Sequence, residues 1–167
     1  AKGVFAPKGF MYYVLNIPKQ IDFENILKKS IRKNAKAMLT PFPYAGVKGM
    51  RKLAKSIEKL KNKDERYIKN YLTHIVRMQE EIGTGGGGFR YLYSAFLQEA
   101  KTYNLDVNKL EKASELILLS GDTLREFALK CVESAKKIDR FNPKEISDIL
   151  IKASKYEEEA FGILKTI

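Results

Sequence analysis

Residues 82–100 read IGTGGGGFRYLYSAFLQEA, and the fold turns on how this stretch is taken. Five of the chain's 11 glycines lie between Gly83 and Gly88. A glycine inside a helix costs roughly 1 kcal/mol relative to alanine, so the run predicts a break. It also permits positive φ and the close approach of another group. Directly after it, Phe89, Leu92, Tyr93, Phe96, Leu97 and Ala100 recur at helical spacing. Before it, Ile68, Tyr71, Leu72, Ile75, Met78 and Ile82 do the same. The unit reads as helix, bare-backbone turn, helix. Its second helix aims unpaired N–H groups, and Arg90, at whatever lies in front of the glycines.

Free N–H donors at the positive end of a helix dipole make a natural anion site. Gly83, Gly85 and Gly88 even satisfy the spacing G-x-G-x-x-G. A dinucleotide fingerprint needs a β-strand before the glycines, however, and Tyr67 to Ile82 has the period of a helix. A Walker-type phosphate loop is excluded because no Lys-Ser or Lys-Thr follows Gly88. The alternative is a packing device, in which glycines let two helices cross closely. For Arg90 the expectation is a mixed role, tied in the free protein to Glu80, Glu81 or Glu99.

Working outward from this turn, the chain reads as mainly α: about six or seven amphipathic helices in one domain, with a short N-terminal β-strand. The strand is residues 9–17, GFMYYVLNI, rich in aromatic and β-branched types and closed by Pro18. Residues 1–21 are therefore taken as a junction segment and residues 22–167 as the helical domain. Asp22, Asp64 and Asn142-Pro143 are helix-start signals, and Asn104-Leu105-Asp106 opens the longest pattern. Ser120-Gly121-Asp122 interrupts that pattern, which predicts two helices or one kinked at Gly121. The last helix carries Ile146, Ile149, Leu150, Ala153, Tyr156, Ala160, Phe161 and Leu164 inward, with Glu157-Glu158-Glu159 read as mostly solvated charge.

Composition bounds the function. The 167 residues are 44% hydrophobic and 31% charged, the figures of a globular domain. No run approaches the 18 or so apolar residues of a membrane span. The net charge of +11 lies entirely in one half: residues 1–84 hold 18 basic against 7 acidic side chains, whereas residues 85–167 hold 13 of each. Lys48, Lys52, Lys55 and Lys59 fall on one outward face of a helix and are the candidates for docking an acidic partner. Nucleic acid ranks lower, because no aromatic stacking platform or base-reading helix is recognisable. A structural role in oligomerisation or domain docking stays open.

No catalytic constellation is complete in this chain, and no cofactor is called for. His74, the single histidine, has no partners at metal spacing and reads as structural. Cys131, the single cysteine, falls on an inward stripe without a base, so it is not a nucleophile. It precludes an internal disulfide framework and fits a reducing cytoplasm. The first residue, Ala1, is not methionine, which points to processing, a fragment or the tail of something longer.

Gly83-Thr84-Gly85-Gly86 with Phe89-Arg90, then Tyr93, Phe96-Leu97 and Glu99-Ala100, resembles the C-terminal domain of proteins similar to butirosin biosynthesis protein H. The resemblance is specific over residues 80–100 and looser over the flanking helices. It implies a two-part acyltransferase, with a cysteine-nucleophile domain upstream and a helical domain behind it. The reaction implied is transfer of an acyl group from a carrier-protein thioester to an amine, with an aminoglycoside as the example acceptor. Gly83, Thr84, Gly85, Gly86, Gly87, Gly88 and Arg90 would then shape a wall of the substrate channel. Tyr93 and Glu99 would hydrogen-bond the acceptor. The basic half would meet the acidic acyl carrier protein, and the N-terminal strand would pair with the upstream domain.

Overall fold

Four short polar side chains start four of the helices in the computed structural model, which describes residues 9, 11–16, 20–82 and 86–167. Asp22 accepts the Asn25 N–H at 3.0 Å and opens α1 (Phe23–Met38). Asp64 accepts from Tyr67 at 2.9 Å before α3 (Glu65–Val76), and Asp106 from Lys109 at 3.1 Å before α5 (Val107–Lys136). Asn142 caps α6 (Pro143–Leu164) through the Glu145 N–H, with Pro143 in the first turn. Each cap satisfies a backbone donor that the helix itself leaves open. The two remaining helices, α2 (Gly46–Glu58) and α4 (Arg90–Ala100), start without a side-chain cap.

The long helices α5 and α6 are joined by a short link through the 3₁₀ turn Ile138–Arg140 and must lie antiparallel. Their cross-contacts confirm the register: Lys109 reaches the Thr166 carbonyl, Ser120 reaches Glu157, and Lys130 reaches Glu145. Onto this pair, α3 and α4 pack against α5, while α1 and α2 pack against α6. The apolar stripes then divide into two clusters. One joins Ile31, Leu97, Leu110, Ile117, Phe161 and Leu164. The other joins Ile57, Leu72, Phe127, Cys131, Ile146 and Leu150. Between them, on α5 and α6, fall Ser120, Gly121 and Glu157.

The mainly α architecture and the six helices agree with the periodicity. Two details differ. Of the two alternatives at Ser120-Gly121-Asp122, two separate helices do not form: α5 continues through it as one helix. The polar trio that resembles a helix start is engaged elsewhere, Ser120 with Glu157 at 2.8 Å and Asp122 with the Tyr91 hydroxyl at 2.9 Å. The expected N-terminal strand is not formed among the described residues: Met11 to Asn16 are irregular and exposed, as unpaired strand-forming residues are when no ladder is offered. Residues 10 and 17–19 of that segment lie outside the described residues. No described helix is long and apolar enough to cross a membrane.

Candidate functional site

The turn before α4 is built by a change of helical hand. Helix α3 widens into a π-type turn over Arg77–Glu81, closed by the Ile82 N–H on the Arg77 carbonyl at 3.1 Å. From this turn Gln79 donates to the Leu124 carbonyl at 2.8 Å, anchoring it on α5. Glu80 accepts the Gly87 N–H at 3.1 Å, which holds the two sides of the glycine run together. Gly86, Gly87, Gly88 and Phe89 then all take positive φ, and Gly87–Phe89 make a single 3₁₀ turn. Glycine is required at Gly87: a Cβ there would stand 2.7 Å from the Tyr91 ring. Phe89 adopts φ 67° as an ordinary L-residue, a strained choice found where surrounding structure dictates it.

Left-handed backbone up to Phe89 sets Arg90 as the first residue of α4, facing inward. Its guanidinium grips Glu157 of α6 with two hydrogen bonds, Nε to Oε1 at 2.8 Å and Nη2 to Oε2 at 3.0 Å. Nη1 donates to the Gly88 carbonyl at 2.6 Å, so the arginine also clasps its own turn. Ser120 of α5 adds a third donor to Glu157 at 2.8 Å. The Glu157 side chain is 0% exposed, and a carboxylate so placed persists only when paired and hydrogen-bonded. Two expectations are thereby corrected. Arg90 pairs with Glu157, not with Glu80, Glu81 or Glu99. Glu157 is the most buried charge of the described chain, not a solvated one. Gly121 explains how α4 comes so near: a Cβ there would lie 3.1 Å from the Tyr91 ring and 3.3 Å from Arg90 Cβ.

In front of this assembly lies a cavity of about 320 Å³ lined by Asn34, Ala37 and Met38 of α1, Gly88, Phe89, Arg90 and Tyr93, Ile117 of α5 and Phe161 of α6. Tyr93 is held between Phe96 and Phe161, each ring centroid 5.8 Å from its own. Its hydroxyl is buried and finds no hydrogen-bond acceptor among the described residues. Burial pushes its pKa up to about 12, opposed by the Asn34 side chain, so at neutral pH the group is a proton donor without an acceptor. Arg90 contributes a fixed positive charge and has five N–H donors, of which three are used in the bonds above. The cavity can therefore bind an apolar body and receive an oxygen acceptor. It contains no nucleophile or base for chemistry of its own.

The model of one family matches residues 1–164 of the chain. It is a member of the family described as Domain of unknown function (DUF4872). No curated protein and no solved structure matches the chain. Within this DUF4872 domain the candidate residues separate into groups. Gly88, Arg90 and Tyr93 converge on the cavity; Gly86 and Gly87 pack against Glu80 and Tyr91 behind it. Glu99 is exposed on α4, off the cavity, and uses only its carbonyl, toward Thr102. Gly83, Thr84 and Gly85 lie outside the described residues. Lys48 and Lys55 of α2, and Lys59 in the 3₁₀ turn that follows it, are exposed, whereas Lys52 covers the Tyr44 ring with Nζ 3.3 Å from its centroid.

Cys131 lies in the second cluster, fully buried, and burial pushes its thiol up to about 12, so it is inert. His74 is exposed rather than a core histidine, because it falls one position off the apolar stripe of α3. No group of three metal-binding side chains occurs among the described residues. Sequence reading missed the far wall of the cavity: Asn34, Ala37, Met38, Ile117 and Phe161 come from distant helices. Glu157 and Ser120 did leave a signal. Each stands where its helix's apolar stripe calls for a hydrophobic residue, Glu157 between Ala153 and Ala160, Ser120 between Ile117 and Leu124.

Proposed function

We propose that this chain is the helical portion of a butirosin-H-like acyltransferase, which lines the channel for transfer of an acyl group from a carrier-protein thioester to an amine acceptor. The observation that carries this reading is the convergence of Gly88, Phe89, Arg90 and Tyr93, all within the motif that bears the resemblance, on one apolar cavity with an unsatisfied donor. Catalysis itself is assigned to a cysteine-nucleophile domain upstream, since the chain's own thiol is buried and protonated. The exposed Lys48 and Lys55 of α2, with Lys59 just beyond it, are assigned to docking the acidic acyl carrier protein, in a reducing cytoplasm.

The test is a titration of the chain with an acylated acyl carrier protein at low and physiological salt, with duplex DNA in parallel. Saturable carrier binding that weakens with salt is expected, because exposed charges are screened beyond about 8–10 Å. The triple variant K48E/K55E/K59E should slow association about tenfold while leaving the dissociation rate nearly unchanged. Binding to DNA at physiological salt, with none to the carrier protein, would sink the proposal in favour of a nucleic-acid module.

A further inference from the structure

We infer that the cavity in front of the glycine turn is the pocket for the acyl group alone, a short hydrocarbon chain headed by a carbonyl, and that the amine acceptor binds elsewhere. This assignment rests on the acyltransferase reading for its reaction but on the cavity's own chemistry for its ligand.

Four walls are apolar side chains: Met38, Phe89, Ile117 and Phe161. Among the described residues no carboxylate lines the cavity, and Arg90 is the charged one. A polyamine acceptor such as an aminoglycoside would bring several positive charges to a site that offers none of the opposite sign, so Coulomb repulsion and lost hydration both exclude it. Glu99, the acid that sequence placed here, lies on the exposed side of α4. An alkyl chain has the opposite requirement and gains from every wall it touches.

The polar groups define the head. A protonated, buried hydroxyl with no partner needs an acceptor, and its ring is clamped between two aromatic neighbours so that it cannot swing away. Arg90, in the same lining, has two further N–H groups that the bonds to Glu157 and Gly88 do not use. Because Glu157 already balances the guanidinium charge, the head need not be an anion. A thioester carbonyl oxygen can accept from both groups while staying neutral. Size limits the tail: at roughly 30 Å³ of liquid volume per water-sized group, about 320 Å³ holds about ten heavy atoms. An acyl group of six to eight carbons fills this space, and further carbons extend through its open mouth and gain little contact.

Binding of acyl-N-acetylcysteamine thioesters to the chain, followed by NMR at Tyr93, Ile117 and Phe161, tests the assignment. Affinity should rise from butanoyl to hexanoyl or octanoyl and level off by dodecanoyl, and kanamycin should leave these resonances unmoved. Ala37, on the exposed edge of α1, can be enlarged without disturbing the core. Ala37→Phe should weaken hexanoyl binding at least tenfold at an unchanged helical circular-dichroism signal. Tyr93→Phe should weaken it about threefold to tenfold, the value of one neutral hydrogen bond. The same change should raise the melting temperature of the free chain by about 2–4 °C, because it removes a buried donor without a partner.

No response to hexanoyl thioester up to about 10 mM, hexanoyl binding undiminished by Ala37→Phe, or kanamycin binding at the three resonances each overturns the inference. Its failure is separable from failure of the parent reading. Carrier-protein binding with an unresponsive cavity removes the acyl pocket only. A cavity that measures acyl length in a chain that ignores carrier protein removes the transferase only.

Discussion

Glu157 and Glu158 are adjacent in sequence, and each accepts two hydrogen bonds from one arginine. Glu157 takes Arg90 at 2.8 and 3.0 Å; Glu158 takes Arg51 at 3.0 and 2.6 Å. Both contacts are bidentate, side-on through Nε and Nη2 at Glu157 and end-on through Nη1 and Nη2 at Glu158, yet the side chains are 0% and 53% exposed. Water decides what each pair means. An exposed ion pair adds at most about 1 kcal/mol, since solvent already satisfies both partners. A buried one contributes little by existing but a great deal by not being broken, because either partner left alone is an uncompensated charge. The 157 pair also ties α4, α5 and α6 at a single point between the two apolar clusters. The 158 pair links α2 to the outer surface of α6.

The widest separation between the pairs should come from truncating the glutamates in turn. Glu157→Ala should cost about 3 kcal/mol or more in denaturant unfolding, leaving Arg90 beside a cavity without its counter-charge. Combining Arg90→Met with Glu157→Leu should recover most of that loss, since an apolar pair of similar volume suits the site. A double variant as unstable as the single one would show that the pair stabilises by more than mutual neutralisation.

A smaller effect, about 1–3 kcal/mol, is expected from Gly87→Ala. The added methyl meets the Tyr91 ring and must accept φ 56°, so it loosens the approach of α4 that buries Arg90. Gly162→Ala, where a Cβ meets nothing within 4 Å, is the control and should be neutral or slightly stabilising. Equal losses at both positions would mean that the left-handed turn has no special hold on the fold.

The smallest change belongs to Glu158→Gln, below about 1 kcal/mol at neutral pH. Hydrogen bonding to Arg51, and its charge, lower the pKa of Glu158. A carboxylate whose folded pKa is depressed stabilises above its unfolded pKa of about 4.3 and loses that contribution as pH falls through the folded value. Unfolding curves from pH 6 to pH 2 should therefore fall slightly less steeply for Glu158→Gln than for the parent. A steeper fall would contradict the direction of that shift.

Much of this architecture was legible because it is local. Asp22, Asp64 and Asn142 announce their helices three residues ahead of the N–H groups they accept, and the glycine run breaks the chain as its backbone freedom requires. The site was half legible. Gly88, Arg90 and Tyr93 lie within one short stretch, residues 88–93, so a single motif brings them together. Their partners are supplied by tertiary packing: Arg90 meets a residue 67 positions away, and three cavity walls belong to α1. Local rules misread Ser120-Gly121-Asp122 because a helix start and a polar seam between helices draw on the same small residues. They misread Glu157 because a run of three glutamates resembles a solvated face, although its first member falls on the buried stripe.

The positive-φ segment that ends at Phe89 also acts as an index mark for rotation. Successive residues of an α-helix are turned by about 100° about its axis, so the residue at which right-handed winding resumes fixes the angular phase of everything after it. Winding resumes at Arg90, immediately after the left-handed Phe89. Were it to resume one residue earlier or later, α4 would keep its path but turn by that angle. Arg90 would then swing away from Glu157, and Tyr93 would lose its contact with Phe161 of α6. The strain carried by Phe89 thus sets the direction in which a whole helix faces.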